Sequence, residues 1–176
     1  MELILMEPQY NFLKVIEKNV RQFTYVDKFN RPIYVRYKLA NGETLDFDLK
    51  RKKEKKNLNI PLIYNIYNVL NAKNNKVHRT IVITKDEETS DFINKKSRTL
   101  VATTILNGIN VEWTEKMLHL FEGLDIILLV DMDKQYQELK NNLSKFANSV
   151  KQLNVNDNDN ELLSKEEKRI IKMLNH

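Results

Sequence analysis

The sequence predicts an α/β fold in which a parallel sheet flanked by helices follows a small helix-plus-antiparallel-meander segment. The first observation is a set of three short runs near the N-terminus, rich in aromatic and β-branched residues and separated by turn signals, which is typical of antiparallel strands. The second is a change in the sequence pattern from residue 80 onward, where apolar runs of strand length alternate with helix-like stretches. Strands that alternate with helices form parallel sheets covered on both faces.

The N-terminal segment is predicted to contain a helix and three antiparallel strands. Apolar side chains recur at helical spacing over residues 9–20. The predicted strands follow at residues 23–27, 32–37 and 44–49. The dipeptide Asn41-Gly42 joins the second strand to the third and is a strong hairpin-turn signal. Another helix, with Pro61 near its first turn, is expected over residues 62–70.

The rest of the chain is predicted to alternate strands with helices. The predicted strands cover residues 80–84, 99–104, 125–130 and 150–155. The predicted helices between them cover residues 86–96, 111–121 and 135–146. A polar linker follows at residues 156–160, and a capping-box start at Ser164 begins a terminal helix over residues 165–174. The expected divisions are an N-terminal segment of residues 1–75, a parallel-sheet domain of residues 76–155, and a linker and helix of residues 156–176.

Composition excludes several kinds of protein. The chain has 176 residues, 41% of them hydrophobic, which suits one ordinary domain or a compact domain with a small partner. No apolar run has the length of a transmembrane helix, and Glu2 stands where a signal peptide would carry positive charge. Because the chain has no cysteine, it has no disulfide, thiolate nucleophile or cysteine-based zinc site. We therefore expect a cytoplasmic protein with no membrane partner.

The net charge of +5 fits an anionic partner, and the basic residues are unevenly distributed. Residues 50–56, named here the basic segment, place six lysines and arginines in seven positions. One interpretation is contact with nucleic acid; the other is a solvated loop or a sheet edge protected by lysines. The candidate nucleic-acid contacts in this segment are Lys50, Arg51, Lys52, Lys53, Lys55 and Lys56.

Two aspartates follow the predicted strand at residues 125–130. Asp131 and Asp133 are spaced i, i+2 at the end where parallel strands present their ligand sites. Paired carboxylates on a rigid strand end are suitable oxygen ligands for Mg²⁺. The alternative is that Asp133 caps the following helix, since aspartate is a common N-cap residue.

Taken in order, these motifs resemble the Toprim domain of phage and mobile-element primases and primase–helicases, over residues 23–155. In the family, the turn after the first parallel strand reads Glu-Gly-Glu-Lys-x-Ala-Asp. Here the corresponding residues are Lys85, Asp86, Glu87, Glu88, Thr89, Ser90 and Asp91. The next two strands lead to Thr103-Thr104, then Gly108 and Trp113, and finally Asp131 and Asp133. The resemblance implies a Toprim-like parallel sheet with Asp131 and Asp133 as metal ligands.

The chain departs from the family at a residue needed for catalysis. Lys85 occupies the position of the family's glutamate, which assists acid–base chemistry and metal positioning. An ammonium ~4 Å from Asp131 or Asp133 interacts with it by a few kcal/mol under surface-like screening. Lys85 would then replace Mg²⁺ as the counter-ion of these aspartates, or would contact a nucleic-acid phosphate in the place of the metal ion. We expect no cofactor or only weakly bound Mg²⁺, unless a small register shift lets Glu87 act as the catalytic carboxylate.

Three functions agree with these patterns. The first is a catalytically degenerate, Toprim-like nucleic-acid-binding accessory protein of a phage or mobile element, linked to DNA replication or primase function. Its partners would be DNA or RNA and a replication or defence protein. The second is an active Mg²⁺-dependent primase or nuclease that uses Asp131, Asp133 and Glu87. The third is a phage-encoded inhibitor or decoy that binds a host nucleic-acid enzyme.

Overall fold

A computed structural model describes residues 20–49, 53–54, 62–75, 80–106, 108, 111–129, 134–153 and 165–174. The chain divides into two compact units. Described residues of 1–25 and 32–58 form the first, named here the antiparallel unit; described residues of 26–31 and 59–176 form the second, the parallel unit. The predicted helix at residues 9–20, apart from residue 20 itself, and the predicted linker at residues 156–160 lie outside the described residues.

The meander predicted near the N-terminus is confirmed, with one further short strand. Its strands are β1 (Arg21–Val26), β2 (Pro32–Lys38), β3 (Thr44–Asp48) and β4 (Lys53–Glu54), arranged in the order β1-β2-β3-β4. Gly42 lies between β2 and β3 with φ +85°, but Asn41 does not share a positive φ, so the loop is a type I turn followed by a left-handed glycine and not the two-residue type I′ turn that Asn-Gly favours. Across β2 and β3, Arg36 Nε and Nη2 each donate to Asp46 at 2.9 Å, forming a bidentate pair that fixes the register.

The predicted parallel sheet is confirmed. Its strands are β5 (Thr80–Thr84), β6 (Leu100–Thr103), β7 (Asp125–Leu129) and β8 (Ser149–Gln152), in the order β6-β5-β7-β8 and all parallel. The described helices are α1 (Ile66–Asn74), α2 (Glu87–Lys96), α3 (Glu115–Leu118), α4 (Lys134–Leu143) and α5 (Lys165–Leu174). A single 3-10 turn, His119–Phe121, continues α3.

Helices cover both faces of this sheet, as the nearly continuous apolar strands predict. On one face, strand residues such as Ile83 and Leu128 pack with side chains of α1, α3 and α4. On the other, Val82 packs with Ile93 of α2 and Ile170 of α5. Ile170 is 0% exposed, so the terminal helix docks on the sheet of its own chain.

Two predicted helices begin later in the chain than the sequence pattern indicates, and the first of them also ends later, at Asn74. The helix expected over residues 62–70 begins at Ile66, because Ile63 instead forms an antiparallel bridge with Ile105 beyond the end of β6. The helix expected over residues 111–121 begins only at Glu115, where the Thr114 hydroxyl accepts from the Met117 N–H as an N-cap. The first correction matters for the site, because residues 62–64 lie beside the chain that follows β6: the Tyr64 N–H donates to the Thr104 carbonyl and the Leu106 N–H to the Leu62 carbonyl.

Candidate functional site

The carboxyl ends of β5 and β7 form the edge at which a ligand site is expected. From β5 the chain crosses to β6 on one side and then to β7 on the other, so the strand order reverses between β5 and β7. Open α/β sheets bind ligands outside the strand ends at this reversal. Thr84 ends β5 opposite Leu129 of β7. Asp131 and Asp133, which follow β7, lie outside the described residues, so their metal-site assignment stays a prediction.

A buried network of hydroxyl groups supports the turn between β5 and α2. The Thr84 side chain is 0% exposed, and its Oγ1 lies 2.6 Å from Ser90 Oγ and 2.8 Å from the carbonyl oxygen of Asp86. Ser90 Oγ lies 3.2 Å from the same carbonyl. These bonds tie the last residue of β5 to the first turns of α2, so the residues between them are held by buried contacts on both sides.

Asp86 is the N-cap of α2. Its Oδ1 accepts from the Thr89 N–H at 2.7 Å, and its φ of −149° is extended backbone that any residue adopts. The glycine of the family pattern is therefore replaced here without backbone strain. Glu87 and Glu88 follow in the first turn, where carboxylates are favoured by the partial positive charge of a helix N-terminus.

Lys85 and Glu87, the two residues considered for the catalytic position, differ in their exposure to solvent. Lys85 is exposed at the carboxyl end of β5, whereas Glu87 is only 7% exposed in the first turn of α2. Lys85 stands next to three acidic residues, Asp86, Glu87 and Glu88, so the turn carries a net negative charge. Among the described residues, no group of three histidine or acidic side chains is arranged to hold a metal ion.

A tyrosine–aspartate pair lies beside this turn. The Tyr64 hydroxyl donates to Asp91 Oδ1 at 2.9 Å. Partial burial raises the pKa of the Asp91 carboxyl, and the nearby negative charges of Glu87 and Glu88 raise it further, although the Tyr64 bond opposes the shift. Burial, followed by the bond to Asp91, raises the pKa of the Tyr64 phenol. The pair therefore keeps its phenolic proton and holds a carboxyl that resists ionisation.

We expect Asp91→Asn to raise the melting temperature at pH 7. The amide oxygen still accepts from Tyr64, while the charge that burial, Glu87 and Glu88 oppose is removed. Although its hydrogen-bonded carboxyl is partly buried, much of Asp91 remains accessible to solvent, which screens these charges, so the expected rise is only about 1–2 °C. Because the folded pKa of Asp91 lies above its unfolded value, its destabilising effect is present above the folded pKa and disappears as pH falls towards the unfolded value. Melting curves of both proteins from pH 7 to pH 4 should therefore converge, and a constant gap would contradict this account.

The Thr103-Thr104 pair has a structural role at the end of β6. Thr104 Oγ1 donates to the carbonyl oxygen of Thr84 at 2.8 Å, and the Thr104 carbonyl accepts from the Tyr64 N–H at 2.8 Å. Thr103 Oγ1 donates to the Tyr64 carbonyl. The two threonines thus join β5, β6 and the segment before α1, and position Tyr64 next to Asp91.

The basic segment is described only in part. Lys53 lies on β4, the last strand of the antiparallel sheet, opposite Asp48. Lys50, Arg51, Lys52, Lys55 and Lys56 lie outside the described residues. The position of Lys53 is compatible with either interpretation of the segment, nucleic-acid contact or protection of a sheet edge.

Sequence reasoning missed an exposed aromatic residue. Phe29, in the turn between β1 and β2, is 62% exposed. Lys28 Nζ lies 4.9 Å from the centre of its ring and Arg31 Cζ lies 5.0 Å from it. The available signal was a phenylalanine between basic residues in a hairpin loop, where turn residues are usually polar. Two other aromatic side chains are less accessible: Tyr34 is 1% exposed, and the Trp113 ring packs at 6.1 Å from that of Phe121.

Among the described residues, no helix has the length and apolar character needed to cross a membrane. No protein-family model and no curated protein sequence matches the chain.

Solved primase structures do match. The primase fragment of the bacteriophage T7 primase–helicase has a TM-score of 0.52 at 13% identity, covering 87% of this chain and 61% of that one. A chain of the complex between T7 lagging-strand DNA polymerase and primase domains has a TM-score of 0.53 at 12% identity, covering 89% and 77%. The DnaG catalytic core has a TM-score of 0.46 at 12% identity, covering 78% and 48%. The two T7 likenesses show that this chain, which spans 61% of the T7 fragment, has a primase-type α/β fold.

Proposed function

We propose that this chain is a catalytically degenerate, Toprim-like nucleic-acid-binding protein that serves DNA replication in a phage or mobile element. The observation that carries the proposal is the separation of charge along the chain. Residues 20–58 contain eleven lysines and arginines against five aspartates and glutamates, an excess of six, although the whole chain has a net charge of only +5. A positive excess confined to one part of a chain favours contact with a polyanion there.

Catalysis is not expected, because Lys85 stands where the Toprim resemblance requires a glutamate. Two-metal phosphoryl transfer needs carboxylates to hold the ions that bridge the reacting oxygens. An exposed lysine at the carboxyl end of β5 brings positive charge instead. Since Lys85 is next to Asp86, Glu87 and Glu88, its ammonium offsets their charge more readily than it attracts a phosphate. We therefore assign most of the nucleic-acid contact to the basic segment and the other basic residues between residues 20 and 58.

The structural neighbours supply the class of partner. In the T7 polymerase complex, the primase domains are bound to an RNA/DNA hybrid and dTTP and interact with the lagging-strand DNA polymerase. By analogy of fold, we infer a nucleic acid and a replication protein as partners of this chain.

The test is fluorescence anisotropy with a labelled single-stranded DNA over a salt series. Replacing Lys50, Lys52, Lys53 and Lys55 together with Gln removes four positive charges. If all four contact phosphates, the slope of log K against log salt becomes shallower by about 3, since each contact to a single strand contributes about 0.7. The matched control replaces four exposed lysines of the parallel unit, Lys95, Lys116, Lys145 and Lys172, with Gln and leaves the slope unchanged.

The same experiment separates the competing functions. Failure of the unaltered protein to bind DNA or RNA at low salt would overturn the proposal and favour the protein-directed inhibitor. Primer synthesis or DNA cleavage that requires Mg²⁺ and disappears in Glu87→Gln would favour the enzyme. One observation supports the enzyme: Glu87 is buried, and it lies near Asp91, a carboxyl with a raised pKa.

A further inference from the structure

The turn between β1 and β2 is built to hold one conformation. The Asp27 N–H donates to the Arg31 carbonyl at 2.9 Å, and the Asn30 N–H donates to the Asp27 carbonyl at 3.0 Å. Asn30 has φ +62°, so the loop is a type I turn followed by a left-handed residue, a common three-residue hairpin connection.

The side chain of Asp27 fixes this loop from inside. Its Oδ1 accepts from the Phe29 and Arg31 N–H groups at 2.9 and 3.0 Å. Its Oδ2 accepts from Arg31 Nε at 2.9 Å and lies 2.7 Å from Arg31 Nη2. The bonds from Arg31 and the backbone lower the pKa of Asp27 to about 2, so these contacts persist at neutral pH and are lost only as pH falls towards that value. The guanidinium plane of Arg31 is thereby held in place.

Phe29 projects from this ordered loop without serving the core. Its side chain is 62% exposed, and its ring contacts are the two cations, Lys28 at 4.9 Å and Arg31 at 5.0 Å. Exposed cation–π contacts contribute only about 0.5–1 kcal/mol each, and turns are usually built from polar residues and glycine. Folding alone therefore does not account for a phenylalanine at this position.

We propose that Phe29, Lys28 and Arg31 form a stacking site for one base of a single-stranded nucleic acid. The base stacks on the Phe29 ring beside the Arg31 guanidinium plane, and the flexible Lys28 ammonium moves from the ring to an adjoining phosphate. Aromatic rings and guanidinium planes are the surfaces on which single strands stack, and neighbouring cations neutralise their backbone. The inference rests on the proposed nucleic-acid binding and adds a base contact to the phosphate contacts of the basic segment.

Single-stranded nucleic acid fits this site better than a duplex or a lipid surface. A duplex keeps its bases inside the stack, so a ring contacts their faces only after unstacking a base step at a cost of a few kcal/mol. Membrane anchoring by side chains relies on a broad apolar face, whereas this loop offers one ring between two cations and an aspartate.

The test compares two ligands of equal length and charge: a labelled oligothymidylate and a labelled abasic phosphodiester. Phe29→Ala is expected to weaken binding of the oligothymidylate by about 5- to 150-fold, the range for loss of one stacked base, and to leave binding of the abasic strand unchanged. Phe29→Trp is expected to retain affinity, with tryptophan emission quenched by oligothymidylate beyond the change seen from Trp113 in the unaltered protein. Tyr67→Ala, which removes an aromatic ring 36% exposed on α1, is the control and leaves both affinities unchanged.

Three results would overturn the stacking site. The first is that Phe29→Ala weakens binding of the oligothymidylate and of the abasic strand equally. The second is that Phe29→Ala binds oligothymidylate with unchanged affinity and that the emission of Phe29→Trp shows no added quenching. The third is Phe29-dependent binding to anionic phospholipid vesicles with oligonucleotide binding unaffected, which would assign the ring to a membrane surface. Failure of the unaltered protein to bind either oligonucleotide would instead overturn the proposed function itself. The Phe29→Trp measurement gives a result even if Phe29→Ala lowers stability.

Discussion

Ile170→Ala is expected to lower the free energy of unfolding by about 2–5 kcal/mol, the range for truncating a fully buried aliphatic side chain. Ile170 is 0% exposed and packs with Val82 of β5 and Ile93 of α2. Removing its side chain leaves a cavity between the terminal helix and the sheet. Urea denaturation followed by far-UV circular dichroism measures the loss.

Two substitutions on the same helix serve as controls. Lys172→Ala alters an exposed side chain and should change stability by less than about 0.5 kcal/mol. Arg169→Ala removes an exposed hydrogen bond of 2.9 Å to Thr99 Oγ1 and should cost no more than about 1 kcal/mol. If Ile170→Ala were as mild as Lys172→Ala, the terminal helix would not dock on this sheet in solution.

This docking bears on which surface is free to bind a partner. The apolar side of the terminal helix requires a surface, which the amino-acid pattern alone does not assign to this chain or to another protein. The structure places it on the face formed by Val82, Leu100 and Ile127, against α2. A partner that required this face would have to displace α5 at the energetic cost that Ile170→Ala measures.

The sequence predicted the parallel sheet because its strands have a local signature. Residues 80–84 form a continuous apolar run, and β5 occupies Thr80–Thr84. Runs of this kind, alternating with helices, arise when both faces of a sheet are buried. The terminal helix was predicted at its observed bounds, Lys165–Leu174, because the local capping and apolar pattern agree with its packing.

The sequence did not predict features that depend on contacts between distant residues. The bridge between Ile63 and Ile105 delays the start of α1, and neither residue carries a signal for the other. The same holds at the site: the turn at Lys85 was located by its motif, but the bond between Tyr64 and Asp91 joins residues 27 apart. Phe29 was missed for another reason: its side chain is exposed, and the pattern of apolar residues along a sequence does not reveal which of them are exposed.

Asn94→Ala is expected to lower the free energy of unfolding by about 1–3 kcal/mol, because it leaves the buried Ala102 N–H without its partner and leaves the Ala102 carbonyl only a long bond of 3.5 Å from Asn65 Nδ2. Asn94 lies on α2, and its side chain pairs with both polar groups of Ala102 on β6: Nδ2 donates to the carbonyl at 2.8 Å, and Oδ1 accepts from the N–H at 2.8 Å. Ala102 is 0% exposed. Since β6 is the outer strand of the sheet, the carboxamide takes the place of a neighbouring strand.

Asn94→Asp tests the donor half of this pairing. The carboxylate still accepts from the Ala102 N–H but places negative charge against its carbonyl, which raises the pKa of the introduced carboxyl in the folded state. Asn94→Asp should therefore be fully destabilised relative to the unaltered protein above that pKa. The loss of stability should shrink as pH falls through the pKa, because the protonated carboxyl donates to the Ala102 carbonyl. Lys95→Ala, on an exposed neighbouring position of α2, should stay within about 0.5 kcal/mol at every pH. Denaturation curves at pH 7 and pH 4 measure both effects.

The Asn94 variants also bear on self-association. An outer strand with a backbone N–H group that has lost its partner becomes a template for a strand of another molecule. Asn94→Ala should therefore shift the protein towards larger species in size-exclusion chromatography as concentration rises, whereas Lys95→Ala should not. If Asn94→Ala were neither destabilised nor more prone to associate, water would satisfy Ala102 as well as the carboxamide does. The side chain of Asn94 would then not be needed to protect β6, the outer strand that leads to Thr103, Thr104 and the candidate site.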